Sequence, residues 1–282
     1  KASVRKAYFK RFLKQVRALP SGRYDLVVMT EGSYPYRWVL DADLASTEPA
    51  GPLAHATLAL LSAIRDGPGA HAIVGGLRYP GPEERADRIL NSAVHIGPDG
   101  TIRGHYDKNV LVAFGEYLPG RDLFPGLRNA IEGVSDFGAG TEPCAFDIDG
   151  EPATCGICYE AIMAGYTLDS VGDATLLANL TIDTWFGRST APWFHLMGQC
   201  SRAAELGIPL IRGALTGISA VADADGSLMG TLPLGVADVL EVDVPLRDVT
   251  TPYRVLGMWF PWTCIAGAVL LLWLAGRRRR VS

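Results

Sequence analysis

Short apolar runs alternate with amphipathic stretches from residue 24 to residue 246. Residues 24–31 (YDLVVMTE) are an apolar run that ends in an acid, and they predict a buried strand. Residues 53–66 (LAHATLALLSAIRD) repeat their apolar positions at helical spacing, and 70–79 (AHAIVGGLRY) predict another strand. Residues 88–96 and 101–108 flank the turn GPDG and predict a hairpin. A strand over 151–160 (EPATCGICYE), a helix over 161–172 and a strand over 174–183 (ATLLANLTID) follow. The helix predicted over 191–207 is closed by Gly207. After it come a strand at 208–214, a second hairpin around the turn DADG, and a last strand at 236–246 (VADVLEVDVPL). Hairpins mixed with strand–helix units predict an α/β layered fold, not a purely parallel winding. No internal repeat or low-complexity tract breaks the pattern.

The two ends differ from this middle. Residues 1–20 (KASVRKAYFKRFLKQVRALP) are basic, with apolar residues at helical spacing. An ordinary solvated helix is favoured there over one lying on lipid. Near the other end, no charged residue lies between Arg254 and Arg277. At about 1.5 Å per residue, about twenty residues cross a hydrocarbon layer of about 30 Å. Trp259, Trp262 and Trp273 sit near the ends of this run, and four arginines, Arg277 to Arg280, follow it. These features favour a membrane-spanning helix over a buried core helix, with the arginine tail in the cytoplasm.

The chain has 282 residues, 48% of them hydrophobic, which is enough for a sizeable core. A net charge of −4 gives no reason to expect a nucleic-acid partner. Five dispersed cysteines (Cys144, Cys155, Cys158, Cys200, Cys264) do not form a disulfide framework. Cys155 and Cys158 are spaced C-x-x-C, but no second pair of ligands accompanies them, which disfavours structural zinc. A redox pair is disfavoured because such pairs open a helix, whereas Cys155 falls within a predicted strand. An offset of three on one strand also sends the two side chains to opposite faces.

Chemistry in α/β sheets gathers at strand ends. Three predicted elements end in reactive residues: Glu31, Lys108 and Cys158. A thiol must ionise to attack, and a partly buried carboxylate can take its proton. A lysine can stabilise the oxyanion that results. The three are a chemically complete set for acyl transfer. Each taken alone also fits a bland role: an inert core cysteine, a solvated glutamate, an exposed lysine.

In this order these segments resemble the nitrilase superfamily of carbon–nitrogen hydrolases. Within it, DKNVLVAFGEYLP, GICYE, NLTIDTWFG, HLMGQCSRAAELGIPLIRGALTGISAVADADG and TPYRVLG look like the apolipoprotein N-acyltransferase branch. The resemblance covers roughly residues 24–276. It implies an α/β fold, a nitrilase-like αββα sandwich with a C-terminal transmembrane helix. It implies four parts: a basic helix or linker at 1–23 following a membrane region, a catalytic domain at 24–254, the spanning helix at 255–276 and a basic tail at 277–282. The body would lie on the outer face of a bacterial inner membrane. The implied partners are a phospholipid acyl donor, a diacylated lipoprotein acceptor and the membrane, with the chain acting as a monomer and with no cofactor and no metal. By motif, Glu31 is the general base, Lys108 the oxyanion stabiliser and Cys158 the nucleophile. Glu116, Tyr159 and Glu160 support them, and Trp185, Phe186 and His195 are candidate substrate contacts. Phe114, Trp193 and Phe194 are further candidates for lipid contact, or else plain core aromatics. The chain departs from the family pattern at Thr30, where a proline is usual, and at Ile182 in TIDTWFG, where an asparagine is usual. Of the family's GPHQHLQ pattern, APWFHLM keeps only His195. Two other readings use the same residues: a membrane-tethered amidase with water as acceptor, and an inactive lipid-binding scaffold.

Overall fold

The computed structural model describes residues 2–40, 52–80, 88–120, 135–247 and 249–278. The first half of the chain forms α1 (Ala2–Arg17), β1 (Leu26–Val28), β2 (Tyr34–Val39), α2 (Pro52–Asp66), β3 (His71–Tyr79), β4 (Leu90–Ile96) and β5 (Ile102–Asp107). The second half forms β6 (Phe146–Ile148), β7 (Glu151–Ile157), α3 (Ala164–Ser170), β8 (Leu176–Ile182), α4 (Ala191–Leu206), β9 (Leu210–Leu215), β10 (Ser219–Ala222) and β11 (Leu228–Leu232). The chain then continues into α5 (Pro252–Leu256) and α6 (Trp259–Arg278).

The strands make two sheets. One has the order β1-β3-β4-β5, with β2 also pairing β3. The other has the order β11-β10-β9-β8-β7-β6, in which β7, β8 and β9 run parallel. Alternation along each strand decides what each face buries. On β3, Ala72 and Val74 pack with Phe9 and Val16 of α1 and with Leu60 and Ile64 of α2. Ile73 points the other way, into a core shared with Phe146, Ile157 and Leu180 of the second sheet. On the far side of that sheet, Leu177 meets Ala203 and Leu206 of α4. The layers are therefore helix, sheet, sheet, helix, as expected from the sequence. Each fully buried apolar side chain stabilises this stack by about 1.5–3 kcal/mol.

Two glycines set how closely the stack closes on Glu31. A Cβ on Gly75 of β3 would lie 2.6 Å from the Thr30 oxygen and 2.7 Å from Glu31 Cα. A Cβ on Gly213 of β9 would lie 2.7 Å from the Met29 oxygen. Only glycine lets both strands approach the backbone just before the acid.

Some expectations need correction. The strand predicted over 151–160 ends at Ile157, and a one-turn 3-10 helix, Cys158–Ile162, takes over. Cys158 is thus not on the strand with Cys155, and an argument from strand faces does not apply to that pair. The helix predicted over 161–172 is split between this turn and α3. The strand predicted at 236–246 forms no ladder. Its alternating pattern suits an extended backbone, but side chains hold it in place: Leu240 and Val242 lie against Gly230, and Glu241 accepts hydrogen bonds from Arg23 and Tyr24. The sequence reading passed over β2 and β6, which are short or broken by a register shift between Tyr34 and Arg37.

At the N-terminus, α1 turns one face inward, with Phe9 and Val16 buried. At the C-terminus, Trp259–Arg277 is a run of 19 residues with mean hydropathy 1.6, none of it buried. By length and composition this helix can cross a membrane. Arg279 and Arg280 lie outside the described residues.

Candidate active site

Three strand ends converge. β1 runs out into Thr30 and Glu31, β5 into Lys108, and β7 into Cys158. Glu31 is buried, and its Oε1 accepts a hydrogen bond from Asn91 Nδ2 at 2.7 Å. Its Oε2 has no hydrogen-bond partner among the described residues. Burial raises the Glu31 pKa to about 7, against the opposing pull of the Lys108 charge and the Asn91 hydrogen bond.

Lys108 is fully buried, and its Nζ donates to Glu116 Oε1 at 2.8 Å. Burial alone would push the Lys108 pKa down. The charges of Glu31, Cys158 and Glu116 outweigh it, and the net shift is upward. The ammonium therefore stays charged. Two ion-paired neighbours fix the strand end that carries it. Arg78 donates to Asp107 Oδ1 at 3.1 Å and to Oδ2 at 2.5 Å, and Ser92 Oγ donates to Oδ1 at 2.5 Å. Glu116 in turn accepts from the Val112 N–H at 2.8 Å, closing the loop 112–116 over the lysine.

Cys158 has φ +55, the left-handed region that a non-glycine residue enters at a cost of roughly 1–2 kcal/mol. The side chain leaves the sheet at this elbow and interacts electrostatically with Glu31 and Lys108. Burial first, then the Glu31 charge, push the thiol up to about 11, while Lys108 pulls it back. The resting proton therefore sits on sulfur, and attack requires a base. Glu31, with a free oxygen and a pKa near neutrality, meets that requirement.

Glu160 holds the elbow. One oxygen accepts from the Asn109 and Val110 N–H groups at 2.7 and 2.8 Å, and the other from the Ile157 N–H at 2.8 Å. It thus clamps the chain just after Lys108 to the chain just before Cys158. Burial raises the Glu160 pKa, against the lowering effect of the backbone hydrogen bonds. From the other side, Asn179 Nδ2 donates to the Gly156 oxygen at 2.7 Å and to the Cys158 oxygen at 3.4 Å. Arg212 Nη1 donates to Asn179 Oδ1 at 3.3 Å, and Arg212 Nη2 to Asp183 Oδ2 at 2.5 Å.

His195 belongs to this buried network and not to the surface. Its Nδ1 lies 2.9 Å from Asp183 Oδ1, and Gln199 Nε2 is 3.2 Å from its Nε2. Trp185 and Phe186 lie on a short 3-10 turn just beyond β8, where the Phe186 ring meets the His195 ring edge-to-face, centroids 5.9 Å apart. Because β7 and β8 are parallel, this turn shares an end of the sheet with Cys158. Trp185 is 83% exposed, Phe194 69% and Phe114 64%, and Tyr159, Phe186 and Trp193 are also exposed. A buried polar centre is thus bordered by exposed aromatics. Asn91, Arg78, Asn179 and Arg212 were not singled out from the sequence. Their one legible sign is a polar residue inside an otherwise apolar run. Among the described residues, no group of three or more histidine, cysteine, aspartate or glutamate side chains could hold a metal ion.

Residues 1–253 match the family described as carbon-nitrogen hydrolase. An apolipoprotein N-acyltransferase of Geobacter metallireducens is 36% identical over 211 residues, 74% of this chain and 40% of the relative. Another, from Bradyrhizobium diazoefficiens, is 40% identical over 198 residues, 69% of this chain and 36% of the relative. A third, from Rhodopseudomonas palustris, is 33% identical over 256 residues, 90% of this chain and 45% of the relative. The chain thus spans less than half the length of these curated relatives. In fold it is similar to an amidase from Nesterenkonia (TM-score 0.56, 17% identity, 82% of this chain and 81% of that one). It is also similar to a carbon-nitrogen hydrolase from Helicobacter pylori (TM-score 0.55, 15% identity, 80% and 77%).

Proposed function

The chain belongs to the carbon-nitrogen hydrolase family, and on that premise we propose that it transfers an acyl chain from a phospholipid to the N-terminal amine of a diacylglyceryl-cysteine lipoprotein. The observation that carries this reading is a Glu–Lys–Cys centre with its acid and lysine buried and its thiol half-buried, bordered by exposed aromatic side chains. Hydrolysis of a small amide does not call for such a rim, whereas a substrate drawn from a bilayer does.

Glu31 Oε2 takes the proton of Cys158 Sγ as the sulfur attacks the ester carbonyl. Lys108 Nζ and the backbone N–H of Tyr159 stabilise the oxyanion. The tetrahedral intermediate collapses, Glu31 returns its proton to the departing lysophospholipid oxygen, and a thioester remains on Cys158. The acceptor amine then attacks that thioester, Glu31 receives its proton and passes it to Cys158 Sγ as the C–S bond breaks, and the thiol is regenerated. Glu116 holds Lys108, and Glu160 keeps the two strand ends in register. An apolar rim that excludes water favours the amine over hydrolysis. In this reading the C-terminal helix anchors the body in a bacterial inner membrane, with the body on the outer face and the arginine tail in the cytoplasm.

The test is single-turnover acylation with phospholipid vesicles, followed by addition of a diacylated lipopeptide. The parent protein should gain one acyl chain on Cys158 and pass it to the lipopeptide. Cys158→Ala should form no acyl-enzyme, and Lys108→Ala should slow acylation by roughly 100-fold or more. Acylation of an amide-derived substrate, with none from phospholipid, would overturn the transferase reading.

A further inference from the structure

Cys155 has a partner, and it is not Cys158. In the β6–β7 hairpin, Phe146 stands opposite Ala153, Asp147 opposite Pro152 and Ile148 opposite Glu151. Continued by two residues, this register sets Cys144 opposite Cys155. Alternation agrees: Cys144, Phe146, Ala153, Cys155 and Ile157 all enter the core between the sheets. The backbone is tied at the same point, where Thr154 Oγ1 donates to the Cys144 oxygen at 3.3 Å. Directly opposed residues of an antiparallel pair have Cα atoms about 4.5–5.5 Å apart, within the range of about 4.4–6.8 Å that a disulfide spans. The two side chains also interact electrostatically, and both thiols are free.

We propose that Cys144 and Cys155 form a dithiol site that closes to a disulfide without consuming the nucleophile. With glutathione disulfide as oxidant, the Cys144 thiolate attacks one of its sulfurs. The glutathione S–S bond breaks and one reduced glutathione leaves. Cys155 Sγ then attacks Cys144 Sγ, its proton passing to the second glutathione as that thiol is expelled. Two protons and two electrons pass from the cysteines to glutathione disulfide, and one S–S bond replaces another. Cys144 is itself buried, but it lies two residues before β6, the edge strand of its sheet, at the end of an exposed run, 141–143, from which the oxidant approaches. Cys158 is separate from this pair: it sits past the strand end at the left-handed elbow, facing Lys108 and Glu31. The body would meet oxidising conditions on the outer face of a membrane, a setting that rests on the proposed function, whereas the thiol chemistry does not.

The experiment treats the folded full-length protein with glutathione disulfide, blocks remaining thiols under denaturing conditions, and maps peptides by mass. The expected product is a Cys144–Cys155 linked peptide lighter by two hydrogens in most chains, present also in Cys158→Ala and absent from Cys144→Ser. A Cys155–Cys158 link would overturn the assignment. So would recovery of both Cys144 and Cys155 as blocked thiols under conditions that fully convert Cys158 to its glutathione adduct. Because the readout is a peptide link, it stands or falls independently of acyl-transfer activity.

Discussion

Glu31 illustrates the cost of placing a base at the bottom of a packed body. Its pKa is raised from 4.5 to about 7, chiefly by burial. A group raised on folding contributes its full stability below its unfolded pKa, and that contribution is lost as pH rises through the folded one. Glu31→Gln should therefore match the parent in stability near pH 4. At pH 8 it should be more stable by up to about 3 kcal/mol, since each pKa unit is about 1.4 kcal/mol. Acyl transfer should meanwhile fall by roughly 100-fold or more, the usual contribution of a positioned base. Denaturant melts at the two pH values and a rate assay check both halves. In the parent, kcat/KM should rise through about pH 7 as Glu31 loses its proton. A flat profile between pH 5.5 and pH 8.5 would remove Glu31 as the base.

At the scale of elements, the Cys158 elbow concentrates the strain. Its φ of +55 is one that glycine adopts freely and alanine does not. Comparing Cys158→Gly with Cys158→Ala isolates the backbone term, since both variants lack the thiol. The glycine variant should be more stable by about 1 kcal/mol in denaturant titration. Equal stabilities would mean that the elbow relaxes once the sulfur is gone. None of this strain is legible in the string EPATCGICYE, where the apolar pattern of the strand continues up to Cys158. What bends the chain is Glu160, and two of its backbone partners are the N–H groups of residues 109 and 110, some fifty positions away. The placement of His195 is hidden from the local pattern for the same reason. It sits in a helix that presents exposed aromatics, yet Asp183 and Arg212 draw it inward from other elements. Local pattern reveals most of the strands, two of the hairpins and the three reactive strand ends, but not β2 or the β6–β7 hairpin. The clamps between them depend on contacts that only the folded chain creates.

For the whole molecule, the proposed transfer turns on access: the half-buried Cys158 thiol would have to meet an ester held in a bilayer. The aromatic rim and α6 offer two distinct means of reaching it. The helix would fix the body to the membrane in the proposed function, since its apolar run of 19 residues is long enough to cross one and is wholly unburied. The rim bears on the donor, because Trp185 is 83% exposed and Trp193 50% exposed near the sheet end that holds Cys158. Moving two such side chains from water into lipid stabilises the docked state by roughly 3 kcal/mol, about a hundredfold in partition. A double change, Trp185→Ser with Trp193→Ser, should therefore slow acylation from long-chain phospholipid vesicles by at least about tenfold. Acylation from a water-soluble short-chain ester should stay within about twofold, because that donor need not be drawn from a bilayer. The full-length variant should still sediment with vesicles, since α6 is unchanged. Equal losses on both donors would mean that the two tryptophans support the active site itself and do not dock lipid.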